Sequence, residues 1–234
     1  MKDNELKELK FDFYNFINKY SEANQLIDDL NNIGEILLFG GAVREYIENK
    51  FSTIPRDFDI VIKKDKANFN LDNVLNKFNY KKNRFGGYKI KLNSLEFDIW
   101  EIENTWAFKN KKVECLEEEY SKRLQDTVFL NVDSIVYNLS KGIIYNDKYN
   151  NAMKKRILDV VLYDNPYEAL NLFRAIIFKI KYNMKFSYNL SNILTKFIKQ
   201  NDNYLNILYK SQISHYRCEK ISKESLNKQL QIYK

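Results

Sequence analysis

Histidine is nearly missing from this chain: His215 is the one in 234 residues. A Ser/His/Asp hydrolase and a His-ligated metal centre both spend histidines, so neither class fits. Cysteine is almost as scarce. Cys115 and Cys218 stand far apart with no partnering spacing, which excludes a disulfide scaffold and a zinc module. Two prolines and six glycines leave no low-complexity linker, and no internal repeat is visible. No apolar run approaches the roughly 18 residues a membrane-spanning helix needs. The start, Met1-Lys2-Asp3-Asn4-Glu5-Leu6-Lys7, has no apolar core of a secretion signal. The expectation is a cytoplasmic, reduced protein without a membrane partner. Any chemistry must run on carboxylates, hydroxyls and cations.

What is present is ordinary globular material, 44% hydrophobic and 29% charged, in a length suited to one or two domains. Lys and Arg number 38 against 31 Asp and Glu, a net charge of +7. Arginine supplies only 7 of the 38, and asparagine reaches 30, a usage typical of AT-rich coding, so lysine abundance alone carries no functional weight. Its placement does. Residues 176–234 hold 11 basic and 3 acidic residues, and the rest of the chain is close to neutral. One-sided charge of this kind suits a nucleic-acid footprint, although a solvated lysine face is the plainer alternative.

Apolar spacing predicts a helical span over residues 4–32, a short strand at Ile36–Phe39 and a helix from Ala42 to about Lys50. Alternation at Phe58, Ile60 and Ile62 predicts a strand. Tyr88–Leu92 and Leu95–Ile102 flank Asn93-Ser94 as a hairpin, and Val132–Leu139 with Ile143–Tyr145 form a second. From Pro166 onward the pattern is helical. The fold class is therefore α+β: a head over 1–145 with a small mixed sheet and helices, then an all-helical part over 146–234.

The sharpest segment is Leu38-Phe39-Gly40-Gly41-Ala42-Val43-Arg44-Glu45, followed by Pro55-Arg56-Asp57-Phe58-Asp59-Ile60. A strand running into Gly40-Gly41 and a helix start lets a phosphate approach the backbone and meet free N–H groups. Arg44 adds a fork of donors for phosphate oxygens, and Arg56 is a second candidate. Asp57 and Asp59 are two apart on a strand, about 6.6 Å along the chain on one side. Such a pair suits hard, oxygen-liganded cations: two Mg²⁺ ions, with Mn²⁺ as the other acceptable metal. Asp98, alternating with Phe97 and Ile99, is the expected third carboxylate and base for an attacking hydroxyl. Glu96 is the fallback. Against these stand plainer readings: a turn for Gly40-Gly41, a surface strand for the Asp pair, and core packing for Trp106 and Phe108.

These residues resemble the head motif of polymerase-β-type nucleotidyltransferases, specifically class II tRNA CCA-adding enzymes and bacterial poly(A) polymerases. That family carries Gly-Gly-x-Val-Arg-Asp and then Asp-x-Asp; here Glu45 stands for the last Asp of the first block. Asn131–Asn138, Tyr145–Val161 and Leu172–Phe178 resemble later family segments. The resemblance covers about residues 34–182 and implies a polymerase-β-like head followed by a helical neck. It implies transfer of a nucleotide from a nucleoside triphosphate to a nucleic-acid 3′ end, with release of pyrophosphate. It also implies base reading by a neck-helix motif that falls on Glu168 and Asn171, where the family has an acid and an arginine, with Arg174 on the same face. The family's paired arginines fall on Val128 and Phe129, and Arg123 is a candidate substitute. Three alternatives stay open: a defence or toxin enzyme making oligonucleotides or modifying tRNA ends, a glycosyltransferase using its Asp-x-Asp, and a non-catalytic RNA-binding module.

Overall fold

The computed structural model describes residues 8–65 and 70–233 and divides into two compact units. The first comprises residues 1–127 and 133–147. Its helices are α1 (Leu9–Ile17), α2 (Ser21–Asn31), α3 (Gly41–Asn49), α4 (Leu71–Leu75), α5 (Trp106–Lys109) and α6 (Tyr120–Arg123). Its strands are β1 (Gly34–Phe39), β2 (Phe58–Lys64), β3 (Tyr80–Lys82), β4 (Tyr88–Leu92), β5 (Leu95–Glu101), β6 (Val136–Asn138) and β7 (Ile143–Tyr145). They form one mixed sheet in the order β3-β4-β5-β2-β1-β6-β7. Every neighbouring pair is antiparallel except β2 with β5.

Alternation sets what each sheet face carries. On β2 and β5 the residues Phe58, Ile60, Phe97 and Ile99 are fully buried, while Asp59 and Asp98 between them are only partly covered. Phe58 stacks on Phe97 with ring centroids 5.4 Å apart, and Phe13 meets Phe58 edge-on. α1 and α2 bury Phe13, Ile17, Leu26 and Leu30.

Two expectations are corrected here. The predicted span over 4–32 is two helices, broken at 18–20, where Tyr20 is extended; Leu6 lies outside the described residues. Val132–Leu139 is not one strand. Asn131–Asp133 forms a 3₁₀ turn and β6 is only Val136–Asn138. Asn131 is held elsewhere: its N–H bonds the Asp159 carbonyl and its amide bonds the Ile157 carbonyl.

The second unit comprises residues 128–132 and 148–234. It contains α7 (Asp147–Lys155), β8 (Ile157–Leu158), α8 (Glu168–Lys181), β9 (Lys185–Phe186), α9 (Tyr188–Gln200), α10 (Tyr204–Tyr216) and α11 (Lys223–Leu230). The part read as all-helical thus holds one short parallel pair, β8 with β9. Its core gathers Phe173, Ile176, Leu190, Leu194, Leu208 and Leu226. The Ser187 and Ser222 hydroxyls cap α9 and α11. Phe129, Leu130 and Val132 pack into this core although they precede β6 in sequence. Among the described residues no helix is long and apolar enough to cross a membrane.

Candidate active site

The register of the sheet lines up charges from distant parts of the chain. β2 and β5 run parallel with Phe58 opposite Phe97, Asp59 opposite Asp98 and Ile60 opposite Ile99. Partners across a ladder share a face, with backbones about 4.8 Å apart. On the far side of β5, Lys89 is opposite Asp98; on the far side of β2, Phe39 is opposite Asp59. One row across four strands therefore reads Lys89, Asp98, Asp59, Phe39, and Phe39 leads directly into Gly40-Gly41. Asp57 lies just before β2 rather than on it.

Gly40 has φ +57° and ψ −110°, a combination closed to residues with a Cβ. Its N–H bonds the Ile135 carbonyl at 3.0 Å, and its own carbonyl accepts from the Arg44 N–H at 3.1 Å, opening α3. Gly41 is the first residue of that helix, so the turn presents backbone N–H groups at the end of β1.

Arg44 is placed differently from a freely exposed phosphate donor. It is buried, and its guanidinium forms an ion pair with the equally buried Asp133. This pair ties α3 to the segment that hydrogen-bonds Gly40, so it holds the glycine turn in shape. Asp133 was not singled out by the sequence reading, and no local signal marks it: only the fold brings it to Arg44.

Each outer carboxylate has a cation of its own. Arg56 donates to Asp57 from Nε at 3.0 Å and Nη2 at 2.7 Å. Lys89 Nζ lies 3.0 Å from both oxygens of Asp98, with a hydrogen bond to Oδ2. Burial pushes the Asp98 carboxyl up; Lys89 draws it down, Asp57 and Glu96 raise it again, and the net shift is upward. Burial disfavours the Lys89 ammonium, but its bond to Asp98 and the fields of Asp98, Asp57 and Glu96 outweigh that and hold it above its ordinary value. The two partners thus differ: Lys89 gains from the pair, while Asp98 stays under-compensated because its side chain is only 14% exposed. Among the described residues, no three acidic, His or Cys side chains converge as a ready cation site. Asp57 is turned to Arg56 and Asp98 to Lys89. The donor chemistry still suits a hard cation, and the covered Asp98 carboxylate is met on both oxygens by the Lys89 ammonium.

Lys89 was also missed. The signal was available: Tyr88, Ile90 and Leu92 alternate with Lys89 and Lys91, which puts both lysines on the carboxylate face. Glu96 pairs with Lys91 at 3.4 Å and is far more open than Asp98. The other sequence candidates fall apart from one another. Arg123 is ion-paired to Asp126 at 2.7 Å. Phe108 is buried and stacks on Tyr120.

In the second unit, Glu168 is exposed at the start of α8, while Asn171 one turn on is buried. Asn171 donates its amide to the Pro166 carbonyl at 2.9 Å and to Asn165 at 3.3 Å. It is committed to closing the loop before α8, unlike the solvated position its residue type suggests. The Arg174 guanidinium lies over the Phe178 ring. Lys196, Lys199 and Lys210 are all exposed on α9 and α10.

No family model matches the chain, and no curated protein matches it in sequence. Solved structures do. A CCA-adding enzyme in complex with CTP superposes with a TM-score of 0.59 over 85% of this chain and 47% of that one, at 15% identity. The Thermotoga maritima CCA-adding enzyme complexed with tRNA gives 0.57 at 15% identity, over 85% and 46%. A tRNA-processing enzyme without ligand gives 0.55 at 14% identity, over 85% and 52%. The chain spans about half the length of the structures it matches. The fold is therefore polymerase-β-like, with an α+β head and a helical part. More particularly, it is the fold of the CCA-adding enzymes.

Proposed function

We propose that the chain is a metal-dependent, template-independent nucleotidyltransferase that moves a nucleoside monophosphate from a nucleoside triphosphate to a nucleic-acid 3′-hydroxyl and releases pyrophosphate. The observation that carries this reading is the Asp59–Asp98 register beside the Gly40-Gly41 turn. A row of carboxylates and a phosphate-accepting helix start then lie on adjacent strands. The similar structures, with CTP or tRNA bound, support a triphosphate and a tRNA-like acceptor as the partners.

Asp57, Asp59 and Asp98 would hold divalent Mg²⁺, or Mn²⁺ in its place, and the ion would neutralise triphosphate charge and lower the pKa of the attacking hydroxyl. The first-turn N–H groups of α3, from Gly41 on, receive the phosphates, Gly40 shapes the turn with its own N–H on the Ile135 carbonyl, and Arg44, fixed by Asp133, keeps that turn rigid. Asp98, the third carboxylate of the row, would accept the hydroxyl proton. Arg56, half-exposed beside Asp57, orients phosphate oxygens. Catalysis of this kind is positioning plus charge neutralisation.

The test is incubation with each labelled nucleoside triphosphate and deoxynucleoside triphosphate plus Mg²⁺, with and without total tRNA, reading product lengths on a gel. Extension of an RNA end supports the reading. Absence of any incorporation with either metal overturns it. If the exposed lysines of α9 and α10 track a phosphate backbone, acceptor affinity falls with salt at a log–log slope of about −0.7 per phosphate contact. Lys196→Glu, Lys199→Glu and Lys210→Glu together flatten that slope.

A further inference from the structure

Building on the proposed transfer site, we propose that Lys89 is a built-in counter-ion of the carboxylate row, which competes with a divalent cation for Asp98 and must release it when the cation binds. The geometry is specific. Lys89 is the register partner of Asp98 and contacts both carboxylate oxygens at 3.0 Å. The next row repeats the arrangement with Lys91 and Glu96, but at 3.4 Å and with a carboxylate 37% exposed. That second pair is an ordinary surface ion pair of small effect. The Lys89 pair differs because the Asp98 side chain is 14% exposed and its register partner on β2 is another aspartate, Asp59.

Two carboxylates on adjacent strands repel across a partly dry surface. Asp57 adds a third negative charge, met by Arg56. Without Lys89 the covered Asp98 carboxylate would lose the ammonium that meets both of its oxygens. The ammonium therefore stabilises the cation-free protein at the point where a cation would otherwise be required. Its long stem and half-exposed head let it leave by rotation about its own side-chain bonds, with no change in β4. The consequence is an exchange: one protein charge leaves as one divalent ion enters, so nucleotide-free protein holds cations weakly.

Mn²⁺ binding to the nucleotide-free full chain tests this, read by paramagnetic relaxation and by the shift of the melting temperature with Mn²⁺. Lys89→Met is expected to bind Mn²⁺ at least tenfold more tightly than wild type. It should also melt lower without the ion and gain more from it. Lys91→Met is expected to match wild type. Should Lys89→Met not fold, Lys89→Gln, which keeps a donor but no charge, makes the same comparison. Equal Mn²⁺ affinity in wild type and the Lys89 variant overturns the counter-ion role. Failure of the underlying reading looks different: Asp59→Asn and Asp98→Asn would then leave the Mn²⁺ affinity of the wild-type background unchanged.

Discussion

Asp59 and Asp98 are register partners at the centres of two identical tripeptides, Phe-Asp-Ile, laid side by side on parallel strands. Below the sheet the repeated phenylalanines stack; above it the repeated aspartates face the same space. The buried aromatics fix the register, because a slip of one strand by one residue would bury its carboxylate and expose its ring. The apolar core thus sets the spacing of the charges.

Replacing either aspartate separates chemistry from folding. Asp59→Asn and Asp98→Asn are expected to lower nucleotide incorporation by orders of magnitude, while unfolding midpoints stay at or above that of wild type. For Asp98 the sign follows from its burial, which disfavours the charge that the substitution removes. A gel assay and a urea titration on the same preparations check both halves.

The Arg44–Asp133 pair should behave as a buried ion pair. Removing one partner, as in Arg44→Met or Asp133→Leu, leaves the other charged and covered, at a cost of about 3–5 kcal/mol. The double variant is expected to recover most of that loss in stability, but not the activity that depends on the shape of the glycine turn. Denaturant midpoints of the two singles and the double form the required cycle.

Gly87 lies directly under the Trp100 indole. A Cβ there would fall 1.9 Å from Trp100 Nε1, far inside contact distance. Gly87→Ala is expected to destabilise the β4–β5 pair by about 1–3 kcal/mol as the indole is displaced. Trp100→Leu in the same chain should relieve the clash. Thermal melts of the single and double variants decide whether the indole is the obstacle.

Asn171 offers a test of base reading against loop closure. If its amide serves only the Pro166 carbonyl, Asn171→Asp loses about 1–3 kcal/mol of stability and leaves the ratio of adenine to cytosine nucleotide use unchanged. If the residue reads the base, as the resemblance implies, that ratio moves as well. Competition between labelled ATP and CTP separates the two.

Glu35 gives a pH prediction. Burial raises its pKa, but hydrogen bonds from Lys141 and Asn138 outweigh burial and hold the carboxyl below the usual 4.5. A depressed folded-state value means stabilisation that is complete above the unfolded pKa and lost as the pH falls through the folded one. Stability should therefore decline below about pH 4.5, and Lys141→Met should make the decline shallower. Urea midpoints between pH 3 and pH 6 report it.

Much of this was legible in the sequence where side-chain periodicity is local. The strand–Gly40-Gly41–helix turn, β2, and the β4–β5 hairpin all follow from alternation and turn residues within a few positions. The two-helix break near Tyr20 was hidden because both helices bury apolar residues at similar spacing. Asp133 and Asn171 were not readable, since their roles come from partners that a linear pattern does not join: Arg44 across the fold, and a backbone carbonyl in the preceding loop. Lys89 was readable in retrospect, as one more outward position on an alternating strand.

The parallel pairing of β2 with β5 carries a kinetic consequence. A hairpin cannot make such a pair; the chain must leave β2, pass through α4, β3 and β4, and return. Until that long excursion closes, Asp59 and Asp98 are strangers in solution, each hydrated and neither repelling the other. The β4–β5 hairpin, a local structure, can already carry Lys89 opposite Asp98 before it docks. The negative row would thus be assembled with its ammonium in hand, and the step that joins the two aspartates should be slow, non-local and sensitive to ionic strength.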